Sequence, residues 1–283
     1  MEKEIRMSKI KSRICWVIAT VLAVAALAAA VLPFFFMVIN SSKGKFEMLT
    51  KGVFALPDKL NFANYQEVLS GGFVRYFGNS VLVLCISLIL ILFIAACAAY
   101  PLARFKFKLN GFVYSTIVAC MAIPIHITLI PVFQMTKSLG MYDKISAMIG
   151  PDVAFALPIS VFILTSFMAG IPKEIEESAE IDGCNKYRMF FTIMLPLAKP
   201  GLSTLAIYNG VNIWNEFSFA YTLTQSPKNR TLPLAVWDFQ GQYSMNTPMI
   251  MAVLTLTVLP MIILFIFAQD KLVKGMTAGA VKG

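Results

Sequence analysis

Little in this sequence can make or break bonds. It holds one histidine, and its five cysteines (Cys15, Cys85, Cys97, Cys120, Cys184) are scattered, with no CxxC pair and no pairing with His126. Neither a disulfide framework nor a metal centre is expected. There is no G-x-x-x-x-G-K-[ST] loop to cradle nucleotide phosphates, so this chain carries no ATP cofactor site and any ATP-derived energy must come from another chain. No Ser, His and Asp grouping reads as a catalytic constellation. Charged residues make up only 14% of the chain, against 58% hydrophobic residues. The net charge of +9 sits in short flanks rather than on a basic face interleaved with aromatics, which argues against nucleic acid as a partner. Internal repeats and low-complexity tracts are also missing.

A mean hydropathy of +0.73 marks a membrane protein whose partner is the lipid bilayer. The pattern predicts an all-α membrane protein with six transmembrane helices, over about 15–39, 81–103, 112–135, 153–169, 198–222 and 249–268. The first apolar run is longer than a secretory signal core and more spans follow, so it counts as a span. Residues 1–14 form a basic cytoplasmic N-terminus ahead of one transmembrane domain over 15–283. With both termini cytoplasmic, Lys and Arg are in excess on the inner side, as the positive-inside rule requires. Asn79 and Ser80 are expected to cap the second span, Asp152 the fourth, and Thr247 with Pro248 the sixth. The outer loops 40–78 and 223–247 are too small to hold a substrate-binding domain.

One inner loop, at about 170–196, is densely charged. The run from Ile171 to Gly183 predicts a short helix over roughly 172–182, with Pro172 at its first position. Glu174, Glu176 and Glu177 fall in its first turns, where the helix dipole favours anions, and Gly183 supplies a left-handed terminator. Ile171, Ile175, Ser178, Ala179 and Asp182, spaced by three and four, make one small, apolar side opposite the acids. Such a helix calls for a protein partner.

The motif Glu177-Ser178-Ala179, three residues, Gly183, nine residues, Ile193-x-Leu195-Pro196 resembles the "EAA" loop of ABC-importer permeases, with every spacing kept. Ser178 stands where alanine is usual, a small change to the packing surface. Further stretches extend the likeness along the chain: Asn64-Tyr65, Asn79-Ser80, Ala98 to Arg104, Ile130-Pro131, Leu139-Gly140, Trp214-Asn215-Glu216, Thr231 to Pro233 and Gly279 to Gly283. Together they are similar to the second permease subunit of maltose-type, carbohydrate-uptake systems.

The resemblance implies a type I ABC-importer permease fold and transport of a sugar or oligosaccharide across a bacterial or archaeal cytoplasmic membrane by alternating access. It also implies the partners. These are a second permease in a heterodimer, an extracytoplasmic solute-binding protein, and an ATPase dimer that holds ATP and Mg and docks on the coupling helix through Glu177, Ser178, Ala179, Asp182 and Gly183. The family also includes transporters of glycerol phosphate esters.

The fifth span carries a polar stripe, Thr204, Tyr208, Asn212 and Asn215, with Asn209 and Glu216 alongside. Unsatisfied polar groups are costly in hydrocarbon, so these face protein or a water-filled path. On a helix entered near 198, Glu216 would lie about 27 Å along, near the outer surface. Tyr208, Asn209, Asn212, Asn215 and Glu216 are therefore open to two readings, solute path or interhelical hydrogen bonding. His126, between Pro124 and Pro131, is expected to be packed and hydrogen-bonded. An ion-coupled secondary carrier would show inverted repeats and acids at the membrane midplane, and neither is evident.

Overall fold

The structure, a computed structural model, describes the backbone of residues 2–238 and 246–280 and the side chains of 13–236 and 246–267. The basic side chains at positions 3–11 and the terminal stretch 281–283 lie outside the described residues. In chain order the helices are α1 (Glu2–Ser41), α2 (Lys45–Lys51), α3 (Ala63–Val68), α4 (Val74–Arg104), α5 (Asn110–Ala119), α6 (Ile125–Ser138), α7 (Ser146–Ala169), α8 (Lys173–Ile181), α9 (Lys186–Met189), α10 (Leu195–Leu197), α11 (Lys199–Trp214), α12 (Ser218–Leu223), α13 (Leu232–Asp238) and α14 (Thr247–Ala280). No strand occurs among the described residues. Four helical stretches are long and apolar enough to cross a membrane, and the number rises to six if two bent pairs each count as one span.

Those bends are the main departures from the six straight spans. α5 with its terminal 3-10 turn meets α6 at 99°, where Pro124, in extended geometry, cannot continue the first helix. The stretch Lys186–Leu197 meets α11 at 69°. The predicted fifth span over 198–222 in fact stops at Trp214, and α12 is a separate short helix. α7 begins at Ser146, so Asp152 lies a full turn and more inside it and is not a cap. α4 likewise begins at Val74, leaving Asn79 and Ser80 inside the helix. At the sixth span the cap is Asn246, whose Oδ1 accepts from Met249 N at 3.4 Å.

The chain divides into two compact units. In the unit formed by Met1–Gly71 and Phe239–Leu256, the link after α1 is tied by polar groups. The buried Lys43 ammonium donates to Asn40 Oδ1 at 2.9 Å, Gly52 O at 3.1 Å and Val53 O at 3.2 Å. Burial lowers the Lys43 pKa from its ordinary value, with Glu47 opposing the shift. Asn64 Nδ2 donates to Ser41 O and Lys43 O at 2.7 and 2.9 Å.

In the unit formed by Gly72–Asp238 and Thr257–Gly283, α4 and α7 pack along one another and α11 lies against both. Ala95, Ala96 and Ala99 on α4 meet Val161, Leu164 and Met168 on α7, with Met189, Met194 and Leu205 completing the core. Small side chains on α4 let the helices approach closely, the usual basis of association where lipid removes the hydrophobic drive. Gly201 serves the same end on α11, since a Cβ there would lie 3.0 Å from the Phe167 ring.

The opposite ends of these helices are fixed by long-range hydrogen bonds. Asn79 Nδ2 donates to Lys228 O and Arg230 O at 3.0 and 2.8 Å, and Ser80 Oγ accepts from Leu232 N at 2.9 Å, capping α13 from a distant helix. Asp143, in the link between α6 and α7, accepts from Gln225 N at 2.9 Å, Ser226 N at 2.8 Å, the Ser226 hydroxyl, and Asn229 Nδ2. Burial pushes the Asp143 pKa up, but these bonds together outweigh it and hold the carboxyl well below the usual carboxylate range.

A depressed carboxylate contributes stability above its unfolded pKa of about 3.9, and loses it only as pH falls through the folded value. The loop over 225–229 is therefore expected to stay protected from amide exchange when pH is lowered to about 4, and Asp143→Asn to expose it at neutral pH. Equal protection in the variant at neutral pH would remove the role assigned to the carboxylate.

Candidate functional site

Two places gather the polar residues of the sequence. The first is α8. Pro172, with φ −55° and ψ 136°, stands at the cap position rather than inside the helix, so α8 is shorter at both ends than the pattern predicts. Its end is a Schellman turn: Gly183, at φ +79°, donates its N–H to Glu180 O at 3.0 Å, and Cys184 N donates to Ala179 O at 2.9 Å. Ala179 is buried in the core beside α4 and α7, so its small side chain serves packing within this chain. Glu177, Ser178, Asp182 and Gly183 are exposed, and Ile181 is 86% exposed.

A residue absent from the sequence-derived set holds α8 in place. Arg104, in the last turn of α4, donates from Nη2 to Ile171 O at 2.6 Å, and its Nε lies 2.6 Å from Glu176 Oε1. The latter contact is an ion pair without hydrogen-bond alignment. Both side chains are largely buried, at 3% and 13% exposed. Arg104 at the end of one stretch and the acidic run were legible separately, but the pairing of Arg104 with Glu176, 72 positions on, was not. Lys186 pairs with Glu180 and lies over the Phe105 ring, 5.8 Å from its centroid.

The second place is a cavity of about 440 Å³ between α6, α7, α11 and the start of α12. Tyr208, Asn209, Asn212, Asn215 and Glu216 all line it, joined by His126 and Asp152. The two readings of the stripe divide by residue. Asn209 is buried and donates to Ser160 Oγ on α7 at 2.9 Å, an interhelical bond. Thr204 bonds back to Pro200 O at 3.1 Å. Asn212 and Asn215 are exposed and each donates one N–H to its own helix, to Tyr208 O and Val211 O at 2.9 Å. An amide has a second N–H and a carbonyl, so each keeps hydrogen-bonding capacity toward the cavity.

Glu216 is not on the long helix but in the break after it. There its carboxylate accepts from Phe219 N and Ala220 N at 2.7 and 3.0 Å, capping α12. His126 is exposed at the start of α6 and makes no hydrogen bond among the described residues, contrary to the packed role expected of it. The break at Pro124 turns it toward the cavity rather than into a straight span. The described residues contain no group of three or more metal-ligating side chains.

Comparison with known proteins places this geometry among transport proteins. Residues 91–278 match the family model described as "Binding-protein-dependent transport system inner membrane component". The chain is 52% identical over 262 residues, 93% of its length and 95% of the relative's, to the ABC transporter permease protein ORF2 of Caldicellulosiruptor sp. (strain Rt8B.4). It is 34% identical over 268 residues, 94% and 96% of the two chains, to the melibiose/raffinose/stachyose import permease protein MelC of Bacillus subtilis (strain 168). Among solved structures, a chain of a bacterial ABC transporter involved in the import of the acidic polysaccharide alginate superposes with a TM-score of 0.80 at 20% identity, covering 91% of this chain and 96% of that one.

Proposed function

The chain belongs to the family of binding-protein-dependent transport system inner membrane components, and on that premise we propose that it passes a sugar or oligosaccharide through the cavity beside α11, driven by an ATPase that docks on α8. It is a multi-pass membrane permease subunit of an ABC importer, with the type I importer fold. A transport role without catalysis of its own accords with that family. The sugar assignment is supported by the amides and aromatic of the cavity, which suit hydroxyls and pyranose faces, and by the import role printed in the name of the Bacillus subtilis relative.

In this reading the protein lies in a bacterial or archaeal cytoplasmic membrane. It pairs with a second permease and receives solute from an extracytoplasmic binding protein. ATP and Mg are held by the ATPase dimer, whose closure is the source of motion. Glu177, Ser178 and Asp182 meet the ATPase, Gly183 sets the turn that presents them, and Ala179 seats the helix on this chain's core. Displacement of α8 passes through Arg104 to the end of α4, and from α4 to α11, which lines the cavity. The cavity thereby switches between inward and outward access.

The observation that carries the docking role is the exposed face of α8. Glu177 and Asp182 make no side-chain hydrogen bond or ion pair among the described residues, and Ile181 beside them is largely exposed. Co-purification from the native membrane tests it. The wild-type chain is expected to bring an ATPase and a second permease, and Glu177→Lys to lose the ATPase alone. A lone chain or homodimer in both samples would overturn the reading.

A further inference from the structure

The cavity beside α11 has an unusual charge inventory. Two carboxylates line it, Asp152 from α7 and Glu216 from the break before α12, and neither a lysine nor an arginine does so among the described residues. Glu216 is occupied by the two backbone amides that it caps. Asp152 is different: only 6% exposed, it makes no hydrogen bond among the described residues, although it sits in the wall of the cavity. The Glu216 carboxylate beside it carries the same sign of charge. The Asp152 carboxyl oxygens open on the cavity, so the groups they bond to come from whatever fills it.

We propose that this cavity is a charge filter, taking solutes rich in hydroxyl or amino donors and carrying no negative charge, with Asp152 and Glu216 together as its specificity-determining pair. The assignment rests on the cavity being the solute path. A sugar hydroxyl exchanges hydrogen bonds with the Asp152 carboxyl, while Asn212 and Asn215 offer both donors and acceptors to neighbouring hydroxyls. An anionic solute such as a uronate or a phosphate ester meets like charge with no cation among the described residues of the wall to offset it. One proton shared between the two carboxylates would still leave the cavity negative. The filter thus separates uncharged saccharides from anionic solutes of similar size.

The sign of the field can be read without knowing the solute. Ala156 lines the same cavity one helical turn beyond Asp152, and none of the native cysteines does. In the assembled transporter, with the native cysteines replaced by alanine, Ala156→Cys is labelled with 2-(trimethylammonio)ethyl methanethiosulfonate and with its anionic 2-sulfonatoethyl counterpart. Each rate is normalised to that of a free thiol.

The cationic reagent is expected to win by about tenfold, the scale on which charged clefts concentrate counter-ions. Asp152→Asn and Glu216→Gln, made separately in case one fails to insert, are each expected to move the ratio toward one. A parent ratio at or below one, or a ratio that both variants leave unchanged, overturns the filter. Loss of the transport reading would appear instead as absent ATP-dependent uptake by the assembled complex, which the labelling ratio does not measure.

Discussion

Arg104→Ala is expected to abolish ATP-driven uptake while the transmembrane helices still insert. The guanidinium holds the link before α8 and the first turn of α8 at once, through Ile171 O and Glu176. Its removal leaves the Glu176 carboxylate buried with no counter-charge, and breaking a buried pair in this way costs about 3–5 kcal/mol. At about 1.4 kcal/mol per tenfold, the seated position of α8 would fall in population by at least ~100-fold.

Glu176→Gln should show much of the same loss. Arg104→Lys should recover part of it, since one ammonium cannot reproduce the two-point grip of a planar fork. The double variant Arg104→Met with Glu176→Met removes both charges and should exceed either methionine single variant in uptake, because an apolar replacement of a whole pair is often tolerated. Measuring uptake in proteoliposomes holding the complete transporter, alongside ATPase rate, separates a failure of coupling from a failure of assembly. Near-normal uptake in Arg104→Ala would end the case for this pair as the link.

Replacing both Asn212 and Asn215 with leucine is expected to cut uptake roughly ten- to a hundredfold, the cost of losing two or three hydrogen bonds to solute at about 0.5–1.5 kcal/mol each. Their present bonds run to their own helix, so the fold loses little, and leucine is a good helix former. The half-saturation concentration and the maximal rate, measured on the same proteoliposomes, should change while the Glu177-dependent association with the ATPase does not. An unchanged affinity and rate would reassign the stripe to helix packing, the role that Asn209 already fills through Ser160.

The difference between what could and could not be read from the sequence follows the range of the interactions. The end of α8 was legible because Gly183 and the acids before it are local signals. Their physical causes, a left-handed residue and a dipole, act within a turn. The polar stripe was legible because its spacing follows the helical period, and all the residues picked for the path line one cavity. Asp152 was misplaced because a Pro-Asp pair is also a good cap signature, and nothing nearby shows that α7 starts a turn and more earlier. Asn79 and Ser80 misled for the same reason, being cap formers whose partners lie about 150 positions away. Asp143 was missed altogether, and Arg104 stood only in a stretch of family likeness, without its partner. Periodicity shows which side of a helix is polar, but does not name the distant group that a polar side chain will meet.

The pairs Asn64-Tyr65 and Asn79-Ser80, both part of the family resemblance, acquire a mechanical reason in the structure. Each places an amide on the backbone of a distant link, with Tyr65 OH adding a 2.5 Å bond to Ser41 Oγ. Such residues look interchangeable by composition, but leucine in either asparagine's place would free two carbonyls at once.

The segment from Gln225 to Leu232 is fastened from both sides, by Asp143 at its start and by Asn79 and Ser80 at its end. The segment is therefore held in one shape from both ends, and any change at its tip must first break bonds to a distant helix.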